Sequence, residues 1–240
     1  MVLILNVNEI IFLALSKIYF MQSLAEENYL KAIYKLTQII ADPTVSTQEI
    51  AREVGTRPAS VTAMLRKLAR KGMVDHQKYH GVRLTKDGQA KALDLIRKHR
   101  LCEVFLAEKL GFAWDQVHEL AEQLEHVGSA ELVERLDRYL GNPRFDPHGD
   151  PIPNEQGRFT LRSQRSLAAI NDPGHTHTLV GVRLHEPQFL RYLSGLQLQP
   201  GAEFEILSIQ AYDRSYHLRI PGSEPVWISH QTAQELIVKS

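Results

Sequence analysis

Six side chains in the middle of this 240-residue chain are of types that bind a metal ion. His99 and Glu103 stand four residues apart, so on a helix they share one face. His118, Glu122, Glu125 and His126 follow at i, i+4, i+7 and i+8, which is again one helical face. If the two faces met, three imidazoles and three carboxylates would converge. Three carboxylates buried together would repel and raise each other's pKa, and a divalent cation would relieve that. The donors are nitrogen and oxygen with no thiolate. By hardness this suits Mn²⁺, Fe²⁺ or Zn²⁺, and affinity alone does not choose among them. The alternative is a solvated polar face with scattered surface ion pairs.

The elements that must hold these residues can be read from periodicity. A long helix runs from just after Thr85 to about Leu110 and is broken by Gly111, and another begins at Trp114-Asp115. The single cysteine, Cys102, excludes an intramolecular disulfide framework and any multi-cysteine zinc or iron–sulfur site, and it reads as a small buried hydrophobe. With 43% hydrophobic and 23% charged residues the chain can build a core, which excludes wholesale disorder.

Charge is unevenly spread although the total is zero. From Thr44 to Arg100 there are 13 Lys and Arg against five Asp and Glu, an excess that the rest of the chain cancels. A basic block inside an otherwise acidic chain suggests a polyanion-binding segment. Within it, Ser46-Thr47-Gln48-Glu49 has the form of a capping box and opens a short helix that stops at Gly55. Pro58 opens a second helix, with Val61, Leu65 and Leu68 as its apolar stripe and Gly72 at its end. Two β-like runs around His80-Gly81 then make a hairpin. The pattern is a winged helix-turn-helix. Arg57, Ser60 and Thr62 stand where base edges would be read, while Arg66, Lys67, Arg70, Lys71, Lys78 and Arg83 are suited to phosphates. The alternative is an ordinary helical hairpin with a solvated basic face.

Residues 1–20 are apolar but broken by Asn6, Asn8 and Glu9. They contain no run of the roughly 18 residues that a membrane span requires. They read either as an upstream extension or as an extra helix, and not as a targeting signal. Residues 142–174 are rich in proline and read as an extended connector, with Asp146 and His148 as turn residues. A helix over 160–167 is possible within this stretch. From 175 the pattern changes to short β-like runs with a brief helix at Gln188–Leu196, which implies a small β-barrel. The fold class is therefore mainly α with a small β part, divided into 21–86, 87–141, 142–174 and 175–240.

Three stretches carry a family resemblance: KHRLCEVFL at Lys98–Leu106, VHELAEQLEH at Val117–His126 and LGNPRFDPHGDPIP at Leu140–Pro153. In these the chain resembles the diphtheria toxin repressor and manganese transport regulator family. The resemblance implies a bacterial metal-activated transcription factor with a winged helix, a helical dimerisation and metal-binding domain and an SH3-like C-terminal module. It implies Glu122, Glu125 and His126 as ligands of a primary site, His99 as a ligand in either branch of the family, and Glu103 and His118 in an ancillary site. Glu122 is the manganese-branch residue. In the helix that the apolar period predicts over Gln22–Ile39, Asn28 is a candidate ligand, whereas Lys31 replaces a bridging Glu and cannot coordinate. His185 or Glu186, with Gln188, are further candidates from the C-terminal module.

The expectation is a homodimeric, cytoplasmic repressor of metal-uptake genes that binds a palindromic operator, with no membrane or small organic substrate as partner. Mn²⁺ is the first choice of metal and Fe²⁺ the second, with Zn²⁺ or Co²⁺ possible in vitro. Competing readings are a winged-helix regulator with a non-metal effector, and a metal-dependent hydrolase.

Overall fold

A computed structural model of the chain describes residues 24–38, 44–77, 81–126 and 129–239. The expectations for residues 1–20 and for Lys78 fall outside these. The compact units divide inside one long helix, after Ile96.

In the first unit, helix α1 spans 24–38 and buries Tyr29, Leu30, Ile33 and Tyr34 at helical spacing. α2 (Thr47–Glu53) starts with a reciprocal cap: the Ser46 N–H donates to Glu49 Oε2 at 2.8 Å and the Glu49 N–H to Ser46 Oγ at 3.2 Å. α3 (Pro58–Arg70) has proline in its first turn and buries Val61, Leu65 and Leu68. Burial of each such side chain contributes about 1.5–3 kcal/mol at most. The wing is an antiparallel pair, β1 (Val74–Gln77) and β2 (Gly81–Leu84), with Val74 opposite Leu84. Thr85 Oγ1 joins wing to helix by donating to the Gly72 carbonyl and accepting the Gly88 N–H. Gly88 is required there, because a Cβ would lie 1.9 Å from the Met73 carbonyl oxygen. α4 (Lys86–Leu110) follows.

The second unit contains the end of α4, then α5 (Val117–Leu124) and α6 (Ala130–Tyr139). The following stretch departs from the extended connector expected at 142–174. Phe145 bridges Pro151, and Asp146, His148, Ile152 and Pro153 are buried. The carbonyls of a proline-rich loop need outside donors, and α4 supplies them. Arg97 donates to Pro153 O at 3.0 Å, and Arg100 donates to Pro151 O and, at 2.7 Å, to Asp150. The helix thought possible over 160–167 is instead β3 (Gln164–Ser166) followed by a single 3-10 turn. Pairing with the last strand, Gln164 opposite Lys239, overrides the local preference.

The C-terminal module is a six-stranded antiparallel sheet in the order β3-β8-β4-β5-β6-β7. Its strands are β4 (Thr176–Val182), β5 (Glu203–Ile209), β6 (Tyr216–Arg219), β7 (Val226–Ile228) and β8 (Leu236–Lys239). Irregularities at Leu179/Gly181 and Ile206/Ser208 bend it. α7 (Pro187–Gly195) and the short α8 (His230–Glu235) help close a core around Leu179, Leu190, Phe204, Ile206 and Tyr216.

Candidate metal centre

α4 and the segment from α5 to His126 bring the two sequence-predicted faces together. His99 stands at the junction, with each ring nitrogen facing a different set of groups. Its Nδ1 is 2.6 Å from Glu125 Oε2 and 3.9 Å from Glu122 Oε1. Its Nε2 is 3.0 Å from Glu103 Oε1 and 3.0 Å from His118 Nδ1. His118 Nδ1 is also 3.1 Å from Glu103 Oε1, and His126 Nε2 is 3.7 Å from Glu125 Oε1. Glu125 and Glu103 are almost fully shielded from solvent. All six residues read from spacing thus lie in one contiguous cluster.

Two further members come from the proline-rich loop, where the sequence suggested only turn residues. Asp146 does form a turn: Oδ1 accepts the backbone N–H of His148 at 2.9 Å and of Asp150 at 3.0 Å. It is also buried with Glu103 and His148 as a group whose ligand atoms lie within 4.8 Å of one another. A second such group is His99, His118 and Glu122. His148 donates Nε2–H to the Trp114 carbonyl at 2.8 Å, which turns Nδ1 toward Glu103 Oε1 at 3.7 Å. That buried Nδ1 has no hydrogen-bond partner. The signal for these residues was the alternation of Asp, His and Asp in Asp146–Asp150, which has no periodicity to tie it to α4.

The electrostatics correct one expectation. Clustering was expected to raise the glutamate pKa values, but Glu103 lies well below the usual carboxylate range. Burial opposes its ionisation, yet the hydrogen-bonded imidazoles of His118 and His99, with His148 close by, outweigh it. The upward shift falls on Asp146, pushed to about 8 by burial and by the Glu103 and Asp150 charges, against Arg100. Burial works against protonation of His148, but Glu103 and Asp146 carry it up to about 9. The apolar setting and the nearby carboxylates push the Cys102 thiol to about 11, where it is inert. A cluster that gathers protons onto Asp146 and His148, and leaves a buried imidazole nitrogen unbonded, fits a divalent cation.

Three other predicted ligands are exposed. Asn28 lies on α1, in the first unit, and is exposed. Glu186 and Gln188 are exposed, because the chain turns into α7 at Glu186-Pro187. The side chain that turns back is His185, whose ring stacks on His148 with centroids 4.5 Å apart; burial and the neighbouring His148 charge push its pKa down to about 4.

On the winged helix, Arg57, Ser60, Arg66 and Arg70 are exposed along α3, and Arg83 is exposed on the wing. The Thr62 hydroxyl donates to the Pro58 carbonyl at 3.0 Å, and Arg83 Nε donates to Thr44 at 2.7 Å. Two lysines assigned to phosphates are engaged elsewhere: Lys67 and Lys71 hold Glu26 of α1 at 2.9 and 2.6 Å.

Comparisons with known proteins place the chain in a family. Residues 21–82 match the model of the iron dependent repressor N-terminal DNA binding domain, and residues 85–154 match that of its metal binding and dimerisation domain. The chain is 34% identical to the iron-dependent repressor IdeR of Mycobacterium bovis over 127 residues, 53% of this chain and 54% of that protein. It therefore spans about half the length of the curated relatives it matches. It is 42% identical over 86 residues to a probable metal transport system membrane protein of Chlamydia trachomatis, 36% of this chain and 19% of that protein. A solved manganese-dependent transcriptional repressor in complex with manganese is 35% identical, with a TM-score of 0.76, and the match covers 90% of this chain and 99% of the other. With a winged helix leading into a buried carboxylate–imidazole cluster, and likenesses of this extent, the chain belongs to the diphtheria toxin repressor and manganese transport regulator family of metal-dependent repressors.

Proposed function

We propose that this chain is a metal-activated, homodimeric DNA-binding repressor of metal-ion uptake genes that acts in the cytoplasm and has no enzymatic activity. The observation that carries the reading is Glu103 Oε1, which is buried with imidazole nitrogens at 3.0, 3.1 and 3.7 Å around it. Such a buried cluster is a cation sensor, and in this chain it follows directly on a winged helix with an exposed basic face.

On this reading Glu122, Glu125, His126 and His99 Nδ1 hold one ion, with Asn28 as a possible further ligand. Glu103, His118, Asp146 and His148 hold a second. A neutral imidazole has a single lone pair, so His99 coordinates with one nitrogen and donates with the other. A bound cation supplies positive charge, which allows the carboxylates to stay ionised at close range. Glu122 favours Mn²⁺ over Fe²⁺, and the manganese-dependent relative supports that order; Zn²⁺ or Co²⁺ will occupy the same donors in vitro. The partial match to a probable metal transport system membrane protein supports metal transport as the regulated process.

Leu132 and Tyr139 on α6, with Leu110, Phe112 and Leu124, are large exposed apolar side chains. A second copy of the chain would cover them. A two-fold dimer then offers two α3 helices to the half-sites of a palindromic operator. Linkage requires that DNA tighten metal binding by the same factor by which metal tightens DNA binding.

Fluorescence anisotropy on promoter DNA tests this reading. With Mn²⁺ or Fe²⁺, affinity should rise by about 10-fold or more over the chelated protein. Equal affinity with metal and with chelator would discard metal control.

A further inference from the structure

The loop that carries Asp146 and His148 is fastened to the C-terminal sheet at several points. The Arg162 guanidinium lies 4.0 Å over the Phe145 ring, at the start of the loop. Its Nη2 donates to Gly149 O at 2.7 Å and to Val180 O of β4, and its Nε to Gln164 at 2.7 Å. The Val182 N–H donates to the His148 carbonyl at 2.9 Å. Gly149 has a φ of +90°, and a Cβ there would lie 2.1 Å from Val180 O, so this backbone contact admits only glycine. On the far side, Trp114, whose carbonyl accepts from His148, donates its Nε1–H to Ser194 of α7 at 2.7 Å.

We propose that Arg162 is a positioning residue for the Glu103–Asp146–His148 cluster, and that through it the C-terminal sheet sets the metal affinity of that cluster. The hydrogen bonds of Arg162 go to the loop, β4 and Gln164 and not to the three donors, although the Asp146 charge acts on it. It fixes the loop between Phe145 and β4, and the loop fixes where the Asp146 oxygens and His148 Nδ1 stand. Groups that orient ligands in this way typically change metal affinity 10- to 100-fold when removed. The inference rests on the metal-sensor reading above.

The test is Mn²⁺ binding to the full chain, with free Mn²⁺ followed by electron paramagnetic resonance, for wild type, Arg162→Ala, Gly149→Ala, His148→Ala and the Arg162→Ala/His148→Ala pair. Arg162→Ala and Gly149→Ala should each weaken one class of site by about 10-fold or more and leave the other class as in wild type. In the His148→Ala background Arg162→Ala should add nothing, because both changes disable the same site. Gly149→Ala attacks the same contact from the other side, so the two variants must agree. Unchanged Mn²⁺ affinity in Arg162→Ala, with only a lower melting temperature, would reduce Arg162 to a structural role and overturn the inference while the sensor reading stood. Wild-type protein that binds no Mn²⁺ would overturn both.

Discussion

The basic face of α3 and the carboxylate–imidazole cluster are both dense in charge, but they hold it under opposite conditions. Arg57, Arg66 and Arg70 project into solvent, where water and salt screen them and each acts nearly alone. Glu103, Asp146 and His148 are buried, and each one's ionisation depends on its neighbours. The exposed set suits graded attraction to a polyanion. The buried set suits a response to one ion of defined charge, because a change at one member is felt by all.

Mutations can break or sharpen this contrast. The largest effect is expected at Glu125, which is fully buried and 2.6 Å from His99 Nδ1. Glu125→Ala should cost about 3 kcal/mol in urea unfolding of the metal-free protein and abolish metal-stimulated DNA binding. Retained stimulation would place the sensing elsewhere. On α3, Arg57→Ala should cost about 1–3 kcal/mol and relax sequence preference in binding to a promoter library. Arg66→Ala should instead weaken all sequences alike and lower the salt slope by about one. If both residues behaved alike, the division between base-reading and phosphate-contacting residues on α3 would fail.

Glu26 lies between the two regimes, since it is largely shielded while its partners Lys67 and Lys71 are partly exposed. Burial opposes its ionisation, but Lys71 and Lys67 outweigh that and lower its pKa. A carboxyl lowered on folding contributes stability above its unfolded pKa, and that stability is lost as pH falls through the lower folded value. Acid unfolding of wild type should therefore show a component missing in Glu26→Gln, with less than about 1 kcal/mol separating them at neutral pH. A pH profile unchanged by the substitution would show the ion pair to be energetically idle. The smallest effect is expected for Glu131→Ala, which removes an exposed i,i+4 pair with Arg135 at 2.8 Å and should shift stability by about 0.3 kcal/mol. A larger loss would mean that α6 depends on its exposed face more than its packing suggests.

Much of the architecture was legible from local pattern. The capping box at Ser46, the proline opening α3, the hydrophobic stripes and the breaks at Gly72 and Gly111 depend on residues within a turn or two of one another, where sequence and conformation are tightly linked. The run Glu203–Ile209 declared itself as a strand for the same reason. The pairing of His99 with Glu103, and of His118 with Glu122, follows from the pitch of a helix.

What the sequence by itself determined was therefore helices α1 to α5 and α7, the wing and the six donors that share helical faces. Only the tertiary structure decided which nitrogen of His99 meets which carboxylate, that Asp146 and His148 join the cluster, that β3 replaces a possible helix, and that Lys67 and Lys71 turn to Glu26. Each of these is a contact between residues distant along the chain. Its geometry is set by how separate elements pack and by the polar groups each must satisfy once buried, and local propensity carries no record of either.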